Sequence, residues 1–324
     1  MRILSGIQPT GSIHIGAYLG AIKQWTDLQG MGECIFFIAD LHALTIPQNP
    51  GNFQKQVLQT AAELLAAGLN PEKCIIFAQS QVKEHTELAW YLNTITPLGE
   101  LERMTQFKDK AKQFKQNINA GLLNYPVLQA ADILLYQTES VPVGKDQVQH
   151  LELTKTIARK FNQKYGETFK VPEALTLDLG AKIMSLSDPE KKMSKSMPET
   201  CLFLFDEPEV IKKKIMSAVT DLGKTIKYDP VKKPGVANLL TIFSLFDGKP
   251  IKEIENNFKG KGYAELKKQL VNLLVLKLEP FRRKKKELLS REVYLKEILE
   301  QGRKRAAIIA QSTMDAVRQK MGLL

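Results

Sequence analysis

Short runs of consecutive apolar residues alternate with helical segments through the first half of the chain. The runs at 34–39 and 75–78 contain no polar residue, and the segment 53–67 between them carries apolar side chains at helical spacing. A strand without polar alternation is covered on both faces, as in a parallel sheet with helical crossovers. A strand, a glycine-bearing loop and a helix also open the chain at 3–28. The pattern predicts a doubly wound parallel sheet, covered by helices on both faces, that opens with a nucleotide-binding α/β unit.

The composition changes near residue 205. Residues 206–324 hold 26 Lys or Arg against 15 Asp or Glu, whereas residues 1–205 hold 20 of each. Two long amphipathic helices are predicted at 263–278 and from 280 to about 321. We therefore expect an α/β domain at 1–205 and an all-helical domain at 206–324. A basic helical domain beside a neutral body predicts a polyanionic partner, most simply nucleic acid.

The chain has the character of a cytoplasmic protein. No apolar run reaches the ~18 residues that a membrane helix requires, and the N-terminal residues lead directly into a strand without a secretory leader. The cysteines Cys34, Cys74 and Cys201 are widely separated and lack zinc or disulfide spacing. We expect reduced core cysteines and no membrane contact.

Two distant loops have the chemistry of a phosphate site. Lysines and hydroxyls crowd into 191–196, although a basic loop alone is more often solvated surface. At 8–16, Gly11 and Gly16 surround His14, so the backbone can approach a phosphate closely and the imidazole can donate to it. The alternative is a histidine satisfied by its own turn. The glycine spacing matches neither the dinucleotide fingerprint nor a Walker loop.

Together these loops resemble a known pair of signatures. PTGSIHIG at 9–16 resembles the HIGH signature, and residues 192–196 are identical to the KMSKS signature. The pair resembles that of class I aminoacyl-tRNA synthetases. Within that class, SGIQPTG at 5–11, GELERMTQFK at 99–108 and VPVG-x-DQ at 141–147 resemble the tryptophanyl family, and the likeness covers nearly the whole chain.

The resemblance implies that residues 1–205 form a Rossmann catalytic domain of the doubly wound type, with a helical insertion. It also implies a helical anticodon-binding domain at 206–324 and a homodimer. Mg²⁺ with ATP would activate L-tryptophan as an enzyme-bound adenylate with release of pyrophosphate. The amino acid would then pass to tRNA(Trp) with release of AMP. The substrate carboxylate is the nucleophile, so no protein nucleophile is needed.

The resemblance also assigns site residues by position. The implied catalytic residues are His14, Lys110, Lys192 and Lys195. The implied ATP-binding residues are Gln8, Pro9, Thr10, Gly16, Ala17, Gly144, Lys145, Asp146, Ile183, Lys192, Met193, Ser194, Lys195 and Ser196. Two of these depart from the family pattern. Ala17 stands where Asn or His is usual, which leaves backbone N–H groups at the helix start, and Lys145 stands where Glu is usual.

Asp132 is the main specificity candidate. A carboxylate within the apolar segment 130–135 is costly to bury unpaired, and an indole N–H is a donor that would satisfy it. The alternative is pairing with a nearby backbone N–H or lysine. Resemblance places the tryptophan side chain among Asp132, Tyr125, Gln147, His42, Val141 and Val143, although His42 and Tyr125 also suit a plain core.

Other functions remain open on sequence alone. Gln129 with Asp132 resembles a pair of residues in tyrosyl-tRNA synthetases, but residues 144–150 lack the sequence motif of that family. A small-molecule nucleotidylyltransferase would share both phosphate loops without needing a basic helical domain. A paralogue that binds RNA without catalysis ranks third, because both loops keep their cations. The basic runs 282–286 and 303–305 are expected to contact tRNA phosphates.

Overall fold

A five-stranded parallel sheet forms the centre of the protein. The computed structural model describes residues 1–107, 118–144, 147–175, 182–195, 197–223 and 225–323. The strand order is β3-β2-β1-β4-β5 and every pairing is parallel, which confirms the predicted sheet. The strands are β1 Arg2–Ile7, β2 Glu33–Ile38, β3 Cys74–Ala78, β4 Ser140–Pro142 and β5 Glu173–Leu175.

The strand order places a topological switch point between β1 and β4. The chain runs outward from β1 through β2 to β3, and then returns to add β4 on the opposite side of β1, where Ile3 pairs with Ser140. Crossovers that leave in opposite directions open a crevice outside the carboxyl ends of the two strands, which is where α/β proteins bind ligands. A ligand site is therefore expected at the loops that follow Ile7 and Pro142.

Helices cover both faces of the sheet. Alternate strand residues belong to two apolar clusters: Phe36 and Ile76 to one, Ile35 and Phe77 to the other. The predicted helix at 15–28 is interrupted by a π-helical turn, Tyr18–Ile22. The highly charged segment 100–116, whose sequence favours a helix, falls mostly outside the described residues. The helices are α1 Ile15–Ala17, α2 Lys23–Leu28, α3 Asp40–Ala43, α4 Pro50–Ala66, α5 Glu84–Asn93, α6 Leu98–Glu102, α7 Ala120–Leu135 and α8 Val148–Tyr165.

The C-terminal part of the described chain is helical, as expected. Its first long helix does not end at Pro280, so the predicted boundary there is wrong. Proline removes a hydrogen bond to the carbonyl four residues earlier. That residue, Leu276, is 71% exposed, so water can satisfy its carbonyl. The helices are α9 Pro208–Met216, α10 Pro234–Asp247, α11 Ile251–Asn257, α12 Tyr263–Leu289 and α13 Glu292–Met321. No helix in the described ranges is both long and apolar enough to cross a bilayer.

The last helix packs on the outer strand of the sheet. β3 is an edge strand, and α13 covers it, with Ala306, Met314 and Val317 buried in the same apolar cluster as Phe77. Covering an edge in this way protects its backbone groups from pairing with another chain. The apolar clusters thus include residues from both sides of position 205, and the division into domains at that position stays a prediction.

Gly302 is the residue that permits this close approach. A Cβ atom at this position would lie 1.8 Å from the carbonyl oxygen of Ile76. Gly302→Ala should therefore destabilise the protein by about 2–3 kcal/mol, the usual cost of overpacking, because strand backbone cannot move aside. Urea unfolding measures this change. Gly30→Ala, in an exposed turn where a Cβ meets no atom within 4 Å, is the control, and equal stability of the two variants would contradict the expectation.

Candidate active site

A cavity of about 300 Å³ lies at the switch point. Its wall includes residues from the carboxyl halves of β1 and β2 and residues of β4, as the strand order predicts. The volume falls within the range of small-ligand pockets. Gln8, assigned by resemblance to ATP, also lines this cavity. All six residues assigned to tryptophan line it as well: Asp132, Tyr125, Gln147, His42, Val141 and Val143.

Asp132 carries a fully buried carboxylate at the wall of this cavity. Its Oδ1 accepts hydrogen bonds from Gln79 Nε2 at 2.7 Å and from His85 Nδ1 at 2.6 Å. Its Oδ2 lies 2.7 Å from His42 Nε2. Burial raises the pKa of Asp132, but the charges and hydrogen bonds of His42 and His85 outweigh burial and bring it to about 2. The group is therefore an anion at neutral pH.

The hydrogen bonds of Asp132 leave room for one more donor. An ionised carboxylate has about four acceptor directions. Gln79 and His85 occupy two directions on Oδ1, and His42 occupies one on Oδ2. His42 lines the cavity, so Oδ2 is the oxygen on the cavity side. A ligand N–H would complete the set there.

The lining of this cavity contains two further polar pairs. Tyr125 Oη lies 2.8 Å from His150 Nε2, and burial raises the pKa of Tyr125 to about 12, so the phenol stays protonated. Gln129 Nε2 donates to Gln147 Oε1 at 3.2 Å. Gln129 is thus directed at Gln147. This arrangement bears on the tyrosyl alternative, in which Gln129 would join Asp132 in reading a phenol.

The two phosphate loops meet at a second cavity of about 440 Å³. Backbone pairing holds them together: Ile15 N donates to Leu202 O at 2.9 Å, and Leu204 N donates to Ile13 O at 2.8 Å. The segment that follows the basic loop is thereby fixed against the glycine loop. The cavity is lined by His14, Gly16, Ala17, Lys192, Met193, Ser194 and Lys195.

Lys195 crosses from the basic loop to the glycine loop. Its Nζ donates to the carbonyl of Gly11 at 3.0 Å, joining residues 184 positions apart. Gly11 has a φ of 78°, which glycine adopts without the steric cost that a side chain adds. Burial lowers the pKa of Lys195. A partly buried ammonium group exerts a stronger field than one in bulk water, which suits contact with an anion.

His14 caps the N-terminus of α1, the helix that follows the glycine loop. Its Nδ1 accepts a hydrogen bond from Ala17 N at 3.1 Å. Burial, followed by the charges of Lys195 and Lys192, lowers the pKa of His14 to about 4, so the ring is neutral at pH 7 and its proton is on Nε2. The backbone N–H of Ala17 is thus bonded to His14, and the assignment of Ala17 to ATP stays a prediction.

The remaining assigned residues fall into three groups. Met193 and Ile183 are buried and joined by a hydrogen bond from Met193 N to Ile183 O at 3.0 Å. Pro9 is buried, Thr10 is half-buried, and the carbonyl of Gly144 accepts from Gln147 N at 2.9 Å. Lys110, Lys145, Asp146 and Ser196 lie outside the described residues.

Sequence reasoning missed Glu63, a carboxylate on α4 that is 1% exposed. The Glu63 carboxylate anchors the glycine loop. Its Oε1 accepts a hydrogen bond from Ser12 Oγ at 2.6 Å, and its Oε2 accepts one from Ile13 N at 2.9 Å. Lys285 Nζ lies 2.7 Å from the same carboxylate and balances its charge. The signal was present in the sequence, since Glu63 interrupts an apolar helix face just as Asp132 does.

Part of the basic run at 282–286 has a structural role. Arg282 is buried and bonds to Glu279 and to the carbonyl of Asp206, while Lys285 is half-buried against Glu63. Arg283 and Lys286 are exposed. The expectation of phosphate contacts therefore narrows to the exposed members of the run.

The parallel sheet has a ligand cavity at its switch point, and a second cavity lies between the glycine loop and the basic loop. This arrangement is that of a Rossmann-type nucleotide-binding α/β enzyme. Residues 1–278 match the family described as tRNA synthetases class I (W and Y). The chain belongs to that family.

Relatives of known sequence and structure agree with this assignment. The tryptophan–tRNA ligase of Caldanaerobacter subterraneus subsp. tengcongensis is 50% identical over 325 residues, covering 100% of this chain and 98% of the relative. Tryptophan–tRNA ligase 2 of Streptomyces avermitilis is 48% identical over 327 residues, covering 100% and 97%. The crystal structure of tryptophanyl-tRNA synthetase from Campylobacter jejuni, complexed with ADP and tryptophan, has a TM-score of 0.89 at 40% identity, covering 99% of this chain and 100% of that chain.

Proposed function

We propose that this chain is a tryptophan–tRNA ligase, which joins L-tryptophan to tRNA(Trp) through an enzyme-bound adenylate, using ATP. The observation that carries the proposal is the pair of cavities beyond β1. One holds a buried anionic acceptor suited to an aromatic N–H, and the other is formed by His14 and the lysines of the basic loop. The relatives at 48–50% identity over the full chain are named tryptophan–tRNA ligases.

In the first step an oxygen of the tryptophan carboxylate attacks the α-phosphorus of ATP. The bond from that phosphorus to the bridging oxygen breaks, and pyrophosphate leaves with the electron pair. Because the substrate supplies the nucleophile, the protein contributes positioning and charge stabilisation. We propose that Lys195 and Lys192 stabilise the negative charge that develops on the leaving pyrophosphate. The Nε2–H of His14 would donate a hydrogen bond to a phosphate oxygen. Lys110 and Ser196 keep the roles that the resemblance implies.

In the second step a hydroxyl of the terminal tRNA ribose attacks the carbonyl carbon of the adenylate. An ester forms, AMP leaves and the hydroxyl proton is released. The amino acid thus leaves the switch-point cavity attached to tRNA.

We propose that Mg²⁺ enters with ATP. Nucleotide enzymes commonly bind this ion through the oxygens of substrate phosphates, with few protein ligands. Over the described ranges, no group of three or more His, Cys, Asp or Glu side chains is placed to hold a metal ion. The lysines of the second cavity would share the phosphate charge with it.

For the amino acid, we propose that the indole N–H donates to Asp132 Oδ2. The ring would lie among Tyr125, Gln147, His42, Val141 and Val143. A tyrosine phenol also carries a donor, but Gln129 is bonded to Gln147, which disfavours the second contact that a phenol reader needs.

We further propose that residues 206–324 bind the anticodon arm and that exposed Arg283 and Lys286 contact tRNA phosphates. We also propose the homodimer that the resemblance implies; the exposed side chains of Trp90 (69%) and Leu98 (58%) would be available to such an interface. Since charging of tRNA takes place in the cytoplasm, that is the location we propose. Sedimentation equilibrium tests the dimer, and a monomer at micromolar concentration would contradict it.

Exchange of labelled pyrophosphate into ATP tests the function directly. We expect exchange that depends on L-tryptophan, Mg²⁺ and the protein, and transfer of tryptophan to tRNA(Trp) in a second assay. Reversing the charges of Arg283 and Lys286 should raise the KM for tRNA at low salt and leave exchange unchanged. Exchange with tyrosine alone would favour the tyrosyl alternative, and absence of exchange with any amino acid would defeat the proposal.

A further inference from the structure

A chain of buried polar groups extends behind Asp132, away from the cavity. Tyr136 Oη lies 2.8 Å from His85 Nε2, and His85 Nδ1 lies 2.6 Å from Asp132 Oδ1. Tyr136 and His85 are both fully buried. Neither group has a part in the reaction described above. Buried polar chains of this kind rigidify a site when every member is satisfied.

The hydrogen bonds decide where the protons of this chain lie. Ionised Asp132 can only accept, so His85 Nδ1 carries a proton. Burial raises the pKa of Tyr136 well above its ordinary value, so the phenol is protonated and can donate to His85 Nε2. The contact with Tyr136 thus holds the His85 ring with its Nδ1–H directed at Asp132.

Gln79 also directs a hydrogen-bond donor at Asp132. Its Nε2 donates to Oδ1 at 2.7 Å, whereas its Oε1 is buried with no hydrogen-bond partner in the described structure. The amide is held with its nitrogen towards the carboxylate even though its oxygen stays unsatisfied. Both acceptor directions of Oδ1 are therefore occupied from behind.

The orientation of the His85 ring is also fixed by apolar neighbours. The rings of Phe37 on β2 and Phe77 on β3 each lie with their centroids 5.9 Å from that of His85. Phe37 also lines the switch-point cavity. The imidazole is held between the sheet and α7 and has little freedom to turn away from Asp132.

We propose that Tyr136 and His85 are positioning residues for selection of the amino acid. His85, oriented by Tyr136, occupies Oδ1 from behind together with Gln79, so that a single acceptor direction of the Asp132 carboxylate, on Oδ2, faces the substrate. The site then favours a planar aromatic side chain with a ring N–H over one of the same shape without a donor. This inference rests on the proposed function and extends it from Asp132 to the groups behind it.

Discrimination between two isosteric substrates tests the proposal. Tryptophan and benzothienylalanine, in which sulfur replaces the ring N–H, are compared by kcat/KM in pyrophosphate exchange. We expect the native protein to prefer tryptophan by about 100-fold or more, since a buried acceptor is left unpaired by the analogue. Tyr136→Phe should lower this preference about tenfold, as expected for one weakened hydrogen bond, without changing the KM for ATP.

Two substitutions of His85 separate positioning from packing. His85→Leu should lower the preference at least as much as Tyr136→Phe, and His85→Asn, whose amide can replace the Nδ1–H donor, should restore most of it. Tyr165→Phe, on α8 and outside the cavity wall, is the matched control and should keep the native ratio. Thermal melts identify any variant that fails to fold, in which case the other substitutions decide.

The possible results are distinguishable. Absence of tryptophan-dependent exchange in the native protein would overturn the proposed function. Exchange in the native protein with the same substrate ratio in Tyr136→Phe as in Tyr165→Phe would overturn this inference alone. An equal loss of kcat/KM for both amino acids in Tyr136→Phe would assign the pair a purely structural role and would also overturn it.

Discussion

Lys195→Met is expected to lower tryptophan-dependent pyrophosphate exchange by about 10²–10³-fold, the usual loss when one preorganised donor to developing charge is removed. Lys195 reaches across the second cavity to the Gly11 carbonyl at 3.0 Å, within the lining that also includes His14. Methionine keeps a similar chain length and removes the charge. The KM for tryptophan should change little, because Asp132 lines the other cavity. Steady-state exchange with ATP and tryptophan varied separately measures both effects.

Lys191→Met is the matched control for this experiment. Lys191 lies in the same loop, its side chain is 71% exposed, and it forms a surface ion pair with Asp188 at 2.7 Å. Surface pairs contribute little, so exchange should stay within about twofold of native. Similar losses for Lys191 and Lys195 would mean that the loop acts only through its overall positive charge, and the assigned role of Lys195 would be wrong.

The sequence predicts the frame of the site because the frame depends on local patterns. Continuous apolar runs identify β2 and β3, and parallel strands bring their carboxyl ends to one edge. The glycine loop after β1 and the segment after α7 are therefore expected near one another. The same reasoning explains why the assigned tryptophan residues share one cavity even though their roles stay predictions.

The contacts of the supporting residues could not be found in this way, although Glu63 itself interrupts an apolar helix face. Glu63, His85 and Lys285 act through contacts between segments that are distant in sequence, and no periodic pattern reports such pairings. Lys285 illustrates the difficulty: in sequence it is one of five adjacent cations, yet in the structure it lies 2.7 Å from a buried carboxylate on α4. Pro280 misleads for a different reason: the helix continues through it, and Leu276, whose carbonyl loses its helical partner, is an exposed residue.

Asp132→Asn should lower kcat/KM for tryptophan by about 10²-fold or more while leaving the KM for ATP nearly unchanged. The carboxylate accepts from Gln79, His85 and His42, and an amide has only one oxygen to offer these donors. At least one donor then faces an amide N–H, and the acceptor direction proposed for the indole is lost. Hydrogen bonds to charged groups contribute about 1.5–3 kcal/mol each, which sets the scale of the effect. Pyrophosphate exchange measured at saturating ATP, and again at saturating tryptophan, separates the two substrates.

Asp40→Asn distinguishes a role in selection from the general cost of removing a buried carboxylate. Asp40, on α3, is 6% exposed and accepts from the backbone N–H of Ser80 at 2.9 Å. Both substitutions should reduce stability, because each leaves buried donors poorly paired. Only Asp132→Asn should raise the KM for tryptophan selectively, since Asp132 lines the cavity and carries the acceptor direction on its side. A comparable loss for ATP and tryptophan in Asp132→Asn, or an equal effect on tryptophan in Asp40→Asn, would contradict the proposed contact with the indole.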